Sequence, residues 1–143
     1  MKKHTLILLV CLFTLPVISV FTNYALANPL ENMMLMEQYE KEKKSGNLQS
    51  AERITNKIAD PNIKNIMYME LYEAYKKNDD LKTAERMAEK STDPNIKNIM
   101  YMELVDIAIK LKKCVIAKPL IKKLSDENLK VILTMQYSSV CKY

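Results

Sequence analysis

The chain has 143 residues and a net charge of +5, from 22 basic and 17 acidic side chains, with one glycine, one histidine and no tryptophan. Its length suits one small domain. A charge this mild, spread among so many acids, is not the basic stripe that grips nucleic acid, and a single glycine excludes a glycine-rich phosphate loop.

The chain opens with Met1-Lys2-Lys3, an apolar run from Leu6 to Phe21, and Ala25-Leu26-Ala27. A basic start, a short apolar core and an A-x-A site predict a secretory signal peptide over residues 1–27. Pro16 interrupts the run, which is short of the roughly 20 apolar residues a membrane span needs. The alternatives are an uncleaved anchor, or a lipoprotein attached at Cys11, for which Val10 is a poor preceding residue. Cleavage after Ala27 leaves residues 28–143, exported to a bacterial periplasm or the exterior, with membrane contact only through the leader before cleavage. Lys2 and Lys3 leave with no acid, so the charge falls from +5 to +3, and the only histidine, His4, is lost.

The rest is a repeat. Asp60 to Leu71 returns unchanged as Asp93 to Leu104, an offset of 33 residues. Ala51-Glu52-Arg53 returns as Ala84-Glu85-Arg86. Upstream, Asn32 to Glu37 aligns with Asn65 to Glu70. Downstream, Asp126, Asn128, Leu129, Lys130, Ile132 and Met135 align with Asp93, Asn95, Ile96, Lys97, Ile99 and Met102. A period in the low thirties marks stacked helical hairpins. The expected units cover about 29–60, 61–93 and 94–126, with a capping helix over 127–141.

Within a unit, Ile63, Ile66, Met67, Leu71 and Ala74 recur at helical spacing, with Tyr68, Tyr72 and Tyr75 as a second stripe beside them. Asp60-Pro61 and Asp93-Pro94 predict an Asp cap and a first-turn proline. The long helix should end near Lys77, and Asn78-Asp79-Asp80 should turn the chain. A shorter helix should then run from Leu81 to about Ser91 on an inner face of Leu81, Ala84, Met87 and Ala88. The first copy turns at Ser45-Gly46-Asn47. The third turn, Leu111-Lys112-Lys113-Cys114, has neither glycine nor acid. Pro119 predicts a short helix that starts late or bends near its first turn. The total is about seven helices and no strand. Glu70 and Glu103, inside the apolar stripe, are expected to pair with a neighbouring lysine or tyrosine.

These residues resemble the tetratricopeptide repeat. Gly46-Asn47-Leu48-Gln49-Ser50-Ala51 and Asp79-Asp80-Leu81-Lys82-Thr83-Ala84 look like its inter-helix turn followed by a small alanine. Tyr68, Leu71 and Tyr75 fall where the family prefers tryptophan, leucine and tyrosine, and Asp-Pro-Asn matches the unit junction. The period is 33 instead of 34, and Tyr39 and Tyr72 stand where the family prefers glycine. The resemblance implies an all-α, TPR-like α-solenoid whose long helices line a concave groove for a peptide or partner helix. By position, that groove carries Met36, Glu40 and Lys44, then Met69, Glu73 and Lys77, then Met102, Asp106 and Lys110. Methionines adapt to more than one shape, and charged rows fix register. The same acid–lysine steps are also ordinary helix-stabilising pairs, each contributing about 0.3–0.5 kcal/mol.

Cys114 opens the third short helix and Cys141 closes the capping helix. The two helices run antiparallel, and their counterparts one period back, Leu81 and Ala108, lie on apolar faces. A Cys114–Cys141 disulfide is expected, stabilising by roughly 3 kcal/mol through loop closure. The C-terminal third is basic, with Lys112, Lys113, Lys118, Lys122, Lys123, Lys130 and Lys142 facing only Asp126 and Glu127 in sequence, and reads as a solvated face, the alternative being attraction to an acidic partner or a membrane surface. Without histidine, the exported chain has no Ser–His or Cys–His nucleophile arrangement, and it shows no metal-ligand spacing. No catalytic residue, cofactor, metal, nucleic acid or small-molecule substrate is expected. The leading expectation is an exported, non-catalytic protein–protein interaction module. The alternative is a structural or assembly subunit of an envelope or secretion complex. Where the copies diverge, at Tyr72 against Val105, Tyr75 against Ala108 and Leu81 against Cys114, the sequence is the more telling.

Overall fold

The structure, a computed structural model, describes residues 29–141. The expected signal peptide, residues 1–27, lies outside them. Among the described residues there are seven helices and no strand. Helix α1 covers 29–44, followed by α2 Leu48–Lys57, α3 Pro61–Lys77, α4 Leu81–Lys90, α5 Pro94–Lys110, α6 Cys114–Lys123 and α7 Glu127–Val140.

The long helices start where the sequence directs. Asp60 Oδ1 accepts from the backbone N–H of Asn62 at 2.8 Å and of Ile63 at 3.2 Å. Asp93 and Asp126 cap α5 and α7 in the same way. Each cap satisfies donors that a helix start leaves free.

Each helix packs on its chain neighbours, most extensively α3 on α4 and α5 on α6. The long helices α3, α5 and α7 also approach one another in succession, whereas α2, α4 and α6 do not approach each other as closely. The core runs continuously from Tyr39 through Leu71, Tyr72, Met87, Met100 and Val105 to Leu120 and Leu133. Tyr68, Tyr72 and Tyr75 are all buried, as their stripe predicts. Ile66 is a correction: it is 50 % exposed, and its repeat Ile99 is 49 % exposed. Period places it beside the apolar face, but no helix covers that side.

A row of asparagines ties each long helix to the loop after the next short one. Asn32 Oδ1 accepts from Ala59 N–H at 3.2 Å, Asn65 Oδ1 from Thr92 N–H at 2.8 Å, and Asn98 Oδ1 from Ser125 N–H at 2.8 Å. All three asparagines are buried. The residue one period on is Val131, 53 % exposed, with no loop for it to hold among the described residues.

Pro119 requires a second correction. Helix α6 neither starts late nor is shortened; it spans ten residues, as α2 and α4 do, at the same 33-residue offset. The carbonyl that proline leaves without an intrahelical donor belongs to Val115, which is 89 % exposed, so water has access to it.

The three hairpin turns share one strained position. Gly46, Asp79 and Lys112 have φ of 77°, 60° and 54°. Glycine adopts this region freely, whereas a residue with a Cβ pays about 1–2 kcal/mol. Lys112→Gly is therefore expected to raise stability by about 0.5–1 kcal/mol, after allowing for glycine's looser unfolded chain. The measurement is the urea midpoint at unchanged slope; a lower midpoint contradicts it.

Candidate functional site

The predicted groove residues lie on the long helices as spaced, at unequal depth. Met36 is 40 % exposed, while Met69 and Met102 are half-buried against the core. Glu73, Lys44, Lys77 and Lys110 are exposed, and Glu40 and Asp106 are half-buried. The structure adds a row that the sequence reading had placed in the core. Met33, Ile66, Ile99 and Ile132 recur at 33-residue steps and are 67, 50, 49 and 59 % exposed. Each lies three residues before a methionine, Met36, Met69, Met102 or Met135, so the two rows share one face. Met135 is 68 % exposed. The signal for the added row was present, since apolar identity at these positions survives in all four copies.

The charged steps pair differently from the expectation. Glu40 bonds Lys43 at 2.7 Å and Glu73 bonds Lys76 at 2.6 Å, leaving Lys44 and Lys77 without an ion pair among the described residues. The neighbouring long helix decides this. Lys43 also reaches Glu70 at 2.5 Å, and Lys76 reaches Glu103 at 2.6 Å. Each of these lysines sits over a tyrosine ring, Tyr39 or Tyr72, at 4.9 Å, a favourable cation–π distance.

The tyrosines complete the junction. The Tyr39 hydroxyl donates to Met67 O at 3.1 Å and lies 3.0 Å from Glu70 Oε2. Tyr72 repeats this with Met100 O and Glu103 Oε2, both at 3.0 Å. Glu70 and Glu103 are thus paired with both a lysine and a tyrosine, as expected. Burial, then the charge of Glu70 or Glu103 and the bond to it, pushes both phenols far above the ordinary tyrosine range. Burial pulls Lys43 and Lys76 down, but their carboxylate bonds outweigh it and hold them above the usual lysine value. In the next junction Val105 and Ile109 stand in place of tyrosine and lysine, and Gln136 Nε2 donates to Asp106 Oδ1 at 3.1 Å.

The short helices carry their own ion pairs. Arg86 on α4 reaches Glu52 on α2 through two bonds of 2.5 and 2.8 Å, and Lys90 joins at 3.1 Å. Burial of Glu52 opposes its ionisation, yet these cations hold its carboxyl below the usual range. On α6, Lys123 bridges to Glu85 at 2.6 Å and to Glu89. The C-terminal lysines therefore do not face only Asp126 and Glu127. Lys123 is committed to the preceding unit, and Lys130 pairs with Glu127 at 2.6 Å.

Cys114 and Cys141 form the expected disulfide, with Cα atoms 5.7 Å apart. Among the described residues no group of histidine, cysteine or acidic side chains is arranged to hold a metal, and no helix is long and apolar enough to cross a membrane. The chain matches no protein-family model, no curated protein and no solved structure.

Proposed function

We propose that the chain is a non-catalytic interaction module of TPR-like repeats, an α-solenoid whose long-helix face holds a peptide or helix of a partner protein. The observation that carries this is the double apolar row, Met33, Ile66, Ile99 and Ile132 beside Met36, Met69, Met102 and Met135. Exposed apolar side chains arrayed on one face are what a partner's apolar side chains need. Curvature supports the same face. Successive long helices approach one another more closely than the short ones, so their layer is the inner side of the curve. Export is part of the proposal. The leader-like residues 1–27 support it, as does a disulfide, which persists in oxidising compartments.

The test uses the purified protein as bait in an envelope extract. Ile66→Glu with Ile99→Glu, and separately Met69→Glu with Met102→Glu, should each cut recovery of a captured partner at least tenfold. Both isoleucines are half exposed, so the first pair should keep the helical signal. Undiminished capture by both double variants removes the groove from the account.

A further inference from the structure

Between α4 and α6, above α5, lies an apolar crevice of about 250 Å³. Leu104, Ala108 and Leu120 form its floor, each no more than 3 % exposed. Leu81 and Ile116 wall it, and Lys82, Glu85 and Lys113 stand at the rim.

The repeat supplies an internal comparison. One period earlier the same place is made by Leu71, Tyr75 and Met87, and there Tyr75 is 7 % exposed. Its ring occupies the floor, and the Arg86–Glu52 pair straps α4 to α2 across it. What remains is a wider, polar hollow edged by Glu42, Asn47, Arg53 and Asp80. In the second crevice the ring and the arginine are missing: Ala108 replaces Tyr75 and Pro119 replaces Arg86, while the lysine arm persists, with Lys123 on Glu85 repeating Lys90 on Glu52. The wall changes from Thr83 to Ile116, and the rim from Gln49 and Asp80 to Lys82 and Lys113. Neither rim lysine has an ion pair among the described residues.

We propose that this crevice is an anchoring pocket for an aromatic side chain on an acidic segment of a partner protein. Shape argues for the ring. A dry apolar cavity of about 150 Å³ already admits benzene, so this volume admits a phenol with its methylene, the group that Tyr75 places in the equivalent position. Aromatic anchors in desolvated pockets commonly dominate protein interfaces. Charge argues for the acids, because two lysines that form no ion pair among the described residues stand at the rim of an apolar floor, and exposed charges choose partners by sign. None of these residues belongs to the long-helix rows, so the proposal stands apart from the groove.

The probes are acetylated, amidated tripeptides, Glu-Tyr-Glu, Lys-Tyr-Lys and Glu-Ala-Glu, together with p-cresol. They are titrated into the purified protein while the methyl resonances of Leu104, Ala108 and Leu120 are followed. Glu-Tyr-Glu should shift these methyls and bind at least tenfold tighter than Lys-Tyr-Lys, with the gap narrowing as salt rises. Glu-Ala-Glu should leave them unmoved. Ala108→Tyr, which copies the first crevice, should abolish binding while keeping the helical signal. Lys82→Gln with Lys113→Asp should erase the preference for acidic peptide yet retain p-cresol binding, which keeps the test decisive should the added ring disturb folding. Binding that survives Ala108→Tyr, equal affinity for the two tyrosine peptides, or p-cresol binding as tightly as Glu-Tyr-Glu would each overturn the proposal.

Discussion

Above pH 10 this protein should unfold before Tyr39 and Tyr72 ionise. Both phenols are buried beside a carboxylate, and both hydroxyls hold bonds to it and to a backbone carbonyl of the next long helix. Burial first, and the adjacent negative charge second, raise the folded pKa far above the ordinary tyrosine range. The sign follows from linkage. A group whose folded pKa is raised keeps its full stabilising effect below the unfolded pKa and loses it as pH climbs above that value. Each such tyrosine steepens the loss by about 1.4 kcal/mol per pH unit. Lys43 and Lys76, also raised, add in the same direction. Tyr68, Tyr75 and Tyr101 are raised too, with burial the leading cause. The tyrosinate absorbance of Tyr39 and Tyr72, taken as the difference from the Tyr39→Phe, Tyr72→Phe double variant, should therefore change together with helical ellipticity along an alkaline titration. Tyr72→Phe should lose about 1–2 kcal/mol at neutral pH, as Glu103 and Met100 O give up a donor, and yet flatten the alkaline limb. A tyrosinate signal near pH 10 with ellipticity intact, present in the wild type and missing from the Tyr39→Phe, Tyr72→Phe double variant, would show that these hydroxyls are not held as described.

How much of this was legible follows from the range of each interaction. The starts of α3 and α5 were readable to the residue because an Asp cap and a first-turn proline act within three positions. The disulfide was readable because antiparallel neighbours in a repeat place the start of one helix beside the end of the next. Ile66 was not, since periodicity says which residues share a face but not where the neighbours stop covering it. The choice of Lys43 over Lys44, and of Lys76 over Lys77, was hidden for a related reason. Both lysines lie within reach of the acid on their own helix, and a carboxylate about thirty residues away decides between them. The divergence of Ala108 from Tyr75 was visible as letters. That it empties a crevice depends on Arg86 becoming Pro119 on a third helix.

The divergent copies also locate the weakest junction. Two junctions between long helices carry the tyrosine–glutamate–lysine set. The third, between α5 and α7, has Val105, Ile109 and Gln136 in those places, with a Gln136–Asp106 contact beside them. Helix α7 is thinly packed as well: of its fourteen residues only Leu133 and Tyr137 are buried among the described residues.

The disulfide compensates for that weakness, so its loss should be felt locally before it is felt globally. Cys114 and Cys141 close a loop of 27 residues that contains most of α6 and all of α7. Loop closure of that length contributes about 3 kcal/mol in the chain-entropy model, a large share of the margin of a small domain. Reduction, or Cys114→Ala with Cys141→Ala, should strip hydrogen-exchange protection from α7 first. Helices α3 to α5 keep their own tyrosine and asparagine ties and should stay protected. The unfolding curve should then gain an early step, with the main transition little moved. Ala108→Tyr in the same background should not restore α7, because the crevice lies between α4 and α6 and α7 contributes none of its lining. If all helices lose protection together on reduction, the chain is one cooperative unit and the end of the stack is no weaker than its middle.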